Sequence, residues 1–364
     1  MITPLDATPR RHGARHHAQP HSAIAPDAPP TAAPQADGAA PPPAPRRARP
    51  EELRLALAVL LTGRPAPRDP AVDHFINYAR TQGMPLRHLW VVEDRRTPAS
   101  TDPPGAAPRL AAAAASLPAP GAAAMLMLSP PTGPAGHARA LALIHACVDD
   151  TPPGHRRLLQ ALLDPEQTRE ANALRDAGFR RLATLTYLQL NLDGRGRSGG
   201  DAPVRFPAQP EGPAELATFS GTHTELFKQT IIDTYTDTRD CPELVGTRTP
   251  DEVLDGHRGT GRFTPEAWHC LTIGGHPAGV VLINTLHEPG DAELVYLGVT
   301  PAFRRRGLAA RLLDHGIRHA ADRGHRTLYC AVDQSNLPAV NLYRSRGFRT
   351  HLRKAAHVRF PEDA

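Results

Sequence analysis

Near the C-terminus the stretch Glu293 to Leu313 reads ELVYLGVTPAFRRRGLAARLL. An apolar run ends at Val299-Thr300-Pro301, an arginine loop closes on Gly307, and Leu308, Leu312, Leu313, Ile317 and Ala320 then recur with helical spacing. A helix that starts at such a loop offers unpaired backbone N–H groups and the positive end of its dipole, which suit an anion such as a pyrophosphate. Gly307, with no Cβ, lets the backbone approach a phosphate closely, and Ala309 keeps the first turn narrow. Downstream, Asn336 to Phe348 reads NLPAVNLYRSRGF, a second polar and aromatic cluster on a helical pattern.

The two stretches together resemble the GNAT superfamily of N-acetyltransferases. Its fingerprint R/Q-x-x-G-x-G/A falls at Arg304 to Ala309 after a V-x-P strand end, and its N-x-x-A-x-x-L-Y-x-x-x-G-F signature falls at Asn336 to Phe348. The resemblance implies that acetyl-CoA is the co-substrate. The backbone of Leu297, Gly298 and Val299 would pair with pantetheine, and Arg304, Arg305, Arg306, Gly307, Leu308, Ala309 and Ala310 would cradle the phosphates, with Asn336 also on the cofactor side. It further implies Tyr343 as the acid that protonates the leaving thiolate, its ordinary pKa of ~10 keeping it protonated at neutral pH. Glu293 sits where several members carry a base acting through water, which needs burial to raise its pKa.

In that superfamily the first helices and their loop select the acceptor. Here that region is Phe219 to Glu243, with Tyr235, Asp240, Cys241 and Glu243 as candidates. Cys241 has no histidine nearby in sequence to activate it, and the family transfers the acetyl group by direct attack in a ternary complex. The expected activity is acetyl transfer from acetyl-CoA to an amine of a small molecule or peptide. The other reading is a non-catalytic module that senses acetyl-CoA.

Several elements must position these residues. Glu51 to Leu61 is expected as a helix, Leu86 to Val92 and Ala122 to Leu128 as strands, and His137 to Val148 as a helix. Leu158 to Leu163, Glu166 to Ala177 and Leu182 to Leu192 continue as strand, helix, strand. Further on, Thr224 to Asp237 is helical, and Trp268 to Ile273 and Ala278 to Leu286 form a hairpin across Gly274-Gly275-His276-Pro277. A strand at Glu293 to Val299, a helix at Gly307 to Arg323, a strand at Thr327 to Val332 and a helix at Leu337 to Arg346 complete the pattern. The glycine-rich run Gly256 to Gly261 has no strand before it and reads as a turn.

The chain also matches itself. Pro130 and Gly136 align with Pro301 and Gly307 at one offset, and Asp164 and Gly178-Phe179 align with Asp333 and Gly347-Phe348 at an offset two residues shorter. The earlier copy carries Gly133 where the later has Arg304 and Leu174 where it has Tyr343. The expectation is therefore an α/β chain with mixed sheets, made of two tandem GNAT-like domains of the mycothiol synthase type, the first degenerate. Its bounds are a disordered tail at 1–50, a degenerate domain at 51–192, a linker at 193–213 and a catalytic domain at 214–364.

The tail is Ala, Pro, His and Arg with almost no large apolar side chains. Its histidines, among them His12, His16, His17 and His21, read as solvated, and no metal is expected. The 42 Lys+Arg and 37 Asp+Glu give a net charge of +5, part of it in that tail, which does not argue for nucleic acid. No run approaches the length of a membrane span and no apolar leader is present. Four cysteines without C-x-x-C spacing fit a reducing compartment, so the expected location is the cytoplasm, as a monomer or homodimer.

Overall fold

The computed structural model describes residues 44–94, 109–194, 206 and 209–361. The expected tail up to residue 43 and most of the expected linker lie outside the described residues. The described end of the tail is a correction: Arg46–Arg47 form a strand, β1, whose Arg46 guanidinium reaches Glu52 at 2.7 Å and Glu93 at 2.6 Å. An arginine held by two carboxylates is tied down in a way that composition does not reveal.

The N-terminal half continues with helices α1 (Leu53–Thr62) and α2 (Pro70–Thr81) and strands β2 (Leu89–Glu93), β3 (Leu110–Ala119) and β4 (Ala123–Leu128). Helix α3 (Gly136–Asp150), strand β5 (Leu158–Leu163), helix α4 (Thr168–Asp176) and strand β6 (Arg180–Asn191) follow. The C-terminal half has β7 (Ala214–Thr218), α5 (Thr224–Tyr235), α6 (Pro250–Arg258), β8 (Trp268–Ile273), β9 (His276–Thr285) and β10 (Asp291–Val299). It ends with α7 (Leu308–Asp322), β11 (Thr327–Asp333), α8 (Leu337–Ser345) and β12 (Arg349–Arg359).

Two expectations need correction. Leu86–His88 is a 3-10 turn ahead of β2, because basic Arg87 and His88 break the apolar run. Gly256 and His257 lie inside α6, whose start is fixed by a capping box between Thr249 and Glu252, and only Gly259 onward leaves the helix. The expected mixed sheet is one that both halves share. All twelve strands join in the order β1-β2-β3-β4-β5-β12-β6-β11-β10-β9-β8-β7.

In this sheet the two halves exchange their last strands. β12 lies antiparallel between β5 and β6, and β6 lies antiparallel between β12 and β11. Leu188, Leu190 and Leu192 of the N-terminal half are thereby buried in the C-terminal core with Leu312, Leu313 and Val332. The mixed strand β12 reads poorly as a core strand, yet its Lys354 is buried and bonds Asp164 at 2.8 Å.

Within each half the layers repeat. Helices α3 and α4 cover one face of the N-terminal strands and α1 and α2 the other. Helices α7 and α8 cover one face of the C-terminal strands, with α5 and α6 on the other. The copies of the parallel pair are β4 with β5 and β10 with β11. No helix among the described residues is long and apolar enough to cross a membrane.

Beneath α7, His269 of β8 meets His315 and His319 with ring centroids 4.5 and 5.0 Å away. All three Nε2 atoms are buried without a partner among the described residues. Burial lowers the pKa of His269 to about 3 and of His315 to about 4, and also lowers that of His319. Each group is neutral in the fold and titrates near 6.5 when unfolded, so its contribution is intact above 6.5 and is lost as pH falls. For His269 alone, 6 % exposed, that is about 2 kcal/mol between pH 6.5 and 5. Melting scans should show Tm falling by roughly 5 °C over this range. His269→Leu should flatten the slope; an unchanged slope in that variant would show that the cluster is not responsible.

Candidate active site

Strands β10 and β11 pair only at Asp291 to Glu293 against Thr327 to Tyr329. A bulge between Leu294 and Tyr296 then bends β10, which keeps β9 on one side through Tyr296, Leu297, Gly298 and Val299. Its other edge opens, and burial drops from buried at Asp291 to Leu294 to half-buried at Val295 to Val299. The main chain of Leu297, Gly298 and Val299 therefore faces the cleft left between β10 and β11, with no strand partner on that side among the described residues. A Cβ on Gly298 would lie 2.7 Å from Thr234 Oγ1, so this glycine is what lets α5 close on the cleft.

The chain leaves β10 through Thr300, whose N–H donates to Ala278 O and whose hydroxyl donates to Pro277 O. Arg305 and Gly307 then take left-handed conformations, φ 65° and 76°. Arginine rarely adopts this region, so the loop is held by its surroundings. Arg304 supplies the hold, donating to Val299 O at 3.1 Å, Thr234 O at 3.0 Å and Thr236 O at 2.6 Å. Arg306 lies over Phe303 and pairs with Glu211 at 2.8 Å. Arg305 is exposed, and no side chain caps the N-terminus of α7 at Gly307. Leu308 points into the core, while Ala309 and Ala310 are half-buried in the first turn.

Of the four residues expected at the acceptor side, Tyr235, Asp240 and Cys241 come together and Glu243 does not. Asp240 Oδ1 accepts the Asp333 N–H at 2.9 Å, and Asn336 also hydrogen-bonds its carboxylate. Burial still raises its pKa above the usual carboxylate value. Asn336 thus serves the acceptor side and the N-terminus of α8, where it accepts from Ala339 N–H at 3.4 Å. Cys241 is strained at φ 48° and buried, and burial pushes its thiol far up, which removes it as a nucleophile. Glu243 is exposed.

Tyr343 of α8 is buried beside Phe348, with ring centroids 5.5 Å apart. Burial raises its pKa well above 10, and Cys330, Asp240 and Tyr296 lie close enough to add to this. Glu293 is 1 % exposed and sits at the closed end of the cleft, in register with Asn284 and Tyr329. Its charge is felt by Cys330 and by Tyr187, the latter reaching in from β6 with a buried hydroxyl.

The sequence reading missed Tyr296, His257 and Arg248. Tyr296 OH shares a 2.7 Å hydrogen bond with Thr234 Oγ1, and its ring meets Tyr235 edge-on at 5.6 Å. His257 Nε2 lies 3.3 Å from Tyr235 OH and is kept neutral by burial. The bulge gave no pattern signal for Tyr296, and a helix misread as a turn hid His257.

In the N-terminal half the corresponding loop, with Gly133 at φ 70°, borders a cleft of about 350 Å³ lined by Pro131, Pro134, His137, Arg169 and Asn172. Leu174, where the C-terminal half has Tyr343, is fully buried.

Residues 231–348 match the acetyltransferase (GNAT) family, a span that holds the opened strand pair, the arginine loop and α8. This part of the C-terminal half is similar to a GNAT domain. Mycothiol acetyltransferase of Segniliparus rotundus is 40 % identical over 76 residues, 21 % of this chain and 28 % of its own length. That of Thermobifida fusca is 35 % identical over 106 residues, covering 29 % and 31 %. The ribosomal protein bS18 alanine N-acetyltransferase of Salmonella typhimurium is 45 % identical over 58 residues, 16 % and 39 %. The matches thus span between 28 % and 39 % of these relatives.

The solved GCN5-related N-acetyltransferase from Sphaerobacter thermophilus superposes with a TM-score of 0.52 at 19 % identity, covering 87 % of this chain and 95 % of that one. A fungal glucosamine N-acetyltransferase region gives 0.53 at 15 % identity, covering 90 % and 39 %. At these identities the likeness is one of fold, and its coverage takes in both halves, as two tandem GNAT-like domains require.

Proposed function

We propose that the protein is an N-acetyltransferase that moves the acetyl group of acetyl-CoA to an amine, with one site, in the C-terminal half. The observation that carries this is the open edge of β10 at Leu297 to Val299, which runs directly into the loop at Arg305 and Gly307 and the uncapped start of α7. An extended amide chain ending in a pyrophosphate fits this arrangement. Strand-like pairing suits pantetheine, and free helix N–H groups with the exposed Arg305 suit phosphate. Arg304 acts as the clamp that holds the loop.

In the transfer step the amine nitrogen attacks the thioester carbonyl carbon, a C–N bond forms, and the C–S bond breaks. The main-chain N–H near Val299 steadies the oxyanion. Tyr343 gives its proton to the departing thiolate. The dry site that raises the phenol raises a buried thiolate too, so the transfer stays close to balanced. Asp240 takes the amine proton. Its charge is felt by Tyr343, Tyr296 and Cys330, whereas that of Glu293 is felt by Tyr187 and Cys330 and by neither Tyr343 nor Tyr296. Glu293 keeps the second place as a base acting through water. The four buried thiols suit a cytoplasmic setting.

Thiol release from acetyl-CoA in the presence of an amine panel tests the reading. Saturable release is expected with some amine, and Tyr343→Phe should slow it by about 10- to 100-fold with acetyl-CoA affinity retained. Calorimetric binding of acetyl-CoA without release for any amine would instead mean a sensing module. An unchanged rate in Tyr343→Phe would remove the phenol from the chemistry.

A further inference from the structure

The acceptor side carries a half-buried cation that the transfer step does not use. Arg248 lies in the loop ahead of α6, with Nη1 so close to the helix that a Cβ on Gly256 would come within 3.0 Å of it. Its Nε is buried without a hydrogen-bond partner among the described residues. Glu252, the carboxylate whose charge it feels, is already engaged by Thr249 N–H at 2.8 Å and by Arg157 at 3.6 Å. Arg304 spends its guanidinium donors on carbonyls. A guanidinium cannot shed its proton when buried, so an unanswered one calls for an anion from elsewhere.

Arg248 occupies one end of a row of side chains that begins at the reacting centre. Tyr343 neighbours Tyr296, Tyr296 meets Tyr235 edge-on, and the charge of Arg248 is felt by Tyr235 and by His257. Tyr235 OH lies 3.3 Å from His257 Nε2, next in sequence to the Gly256 that Arg248 Nη1 approaches, and it feels the charges of both Asp240 and Arg248. His257 is neutral and adds no competing charge. The N-terminal half walls this end: the β3–β4 turn at Pro120 and Gly121 packs on α6, where Cβ atoms on Gly121 and Gly259 would meet Glu252 O at 2.5 Å and Pro120 Cγ at 2.4 Å. The exchanged half thereby closes the far end of the acceptor side.

We propose that Arg248 binds an anionic group of the acceptor, so that the substrate is an amine carrying a carboxylate or phosphate at its other end, its ammonium at Asp240. This inference rests on the acetyl-transfer reading. It assigns the acceptor class that the transfer step alone leaves open.

Matched amine pairs test it: 4-aminobutyrate against 4-aminobutanamide for a carboxylate, and O-phosphoethanolamine against ethanolamine for a phosphate. For the intact chain, kcat/KM should favour the charged member of at least one pair by about 10- to 100-fold, the scale of one charge-assisted hydrogen-bonded contact. The pair that responds identifies the anion. Arg248→Gln should shrink that ratio to below about threefold through KM, and Arg248→Lys should restore part of it. Indifference of the intact chain to both pairs overturns the proposal whether or not any variant folds, as does a preference that survives in a folded Arg248→Gln protein. If acetyl-CoA binds but no amine turns over, the transfer reading fails separately. The anion site is then read from Tm: 4-aminobutyrate or O-phosphoethanolamine should raise it in the intact chain and not in Arg248→Gln, and no rise in the intact chain sinks the site.

Discussion

Replacing Asp240 by Asn is expected to lower kcat/KM at pH 7 by about 10²- to 10⁴-fold, the usual contribution of a positioned base. The fold should survive, because the Asn side-chain oxygen can still accept the Asp333 N–H that Asp240 Oδ1 accepts at 2.9 Å. The sign of the pH response separates a lost base from a lost contact. Asp240 works as the carboxylate, and burial raises its pKa above the usual value, so activity of the intact protein should rise as pH climbs through that raised value. The Asn variant needs an amine that arrives already neutral, so its rate should climb about tenfold per pH unit up to the pKa of the amine, and the defect should shrink at high pH. A defect of constant size across pH would mean that Asp240 positions the acceptor and does not take its proton. Glu293→Gln made in parallel should cost less; the reverse order would move the base to the closed end of the cleft.

Much of the site was legible because its chemistry is carried by the backbone and by consecutive residues. The loop Arg304 to Ala310 and the strand ending at Val299 need specific residue types at fixed spacing, and both lie where the spacing puts them. Side chains brought together across the fold were not legible. His257 and Tyr296 meet, ring centroids 5.1 Å apart, through the packing of α6 on α5 and a bulge in β10, and Arg248 lies against α6 at Gly256; none of this leaves a periodic trace. The role of Arg304 was read as direct because a solvent-facing arginine is the default for such a loop, whereas it satisfies carbonyls at the end of α5. The self-match between halves exposed the repeated fold, yet the exchange of last strands is a matter of pairing. Strands β6 and β12 differ in pattern from ordinary strands only in being longer, and length does not name a partner.

That exchange has a large consequence for any attempt to separate the halves. A chain beginning at residue 209 is expected not to fold, because β11 would lose β6 and leave an open edge in the middle of the core. Leu188, Leu190 and Leu192 are each at most 2 % exposed within the C-terminal core, and emptying such positions costs about 2 to 5 kcal/mol apiece. Together they rival the ~5 to 15 kcal/mol that stabilises a whole domain. The N-terminal half alone fares no better, since β12 supplies the only described neighbour of β5 on the side away from β4. Cutting the chain between Asp193 and Gln209 and expressing both pieces together should instead restore a folded pair, because the strands can exchange between separate chains as they do within one. Circular dichroism, melting and gel filtration of each piece alone and of the pair would decide this. A C-terminal piece that melts cooperatively as a soluble monomer would show that β6 is dispensable and that the two GNAT-like halves are independent units.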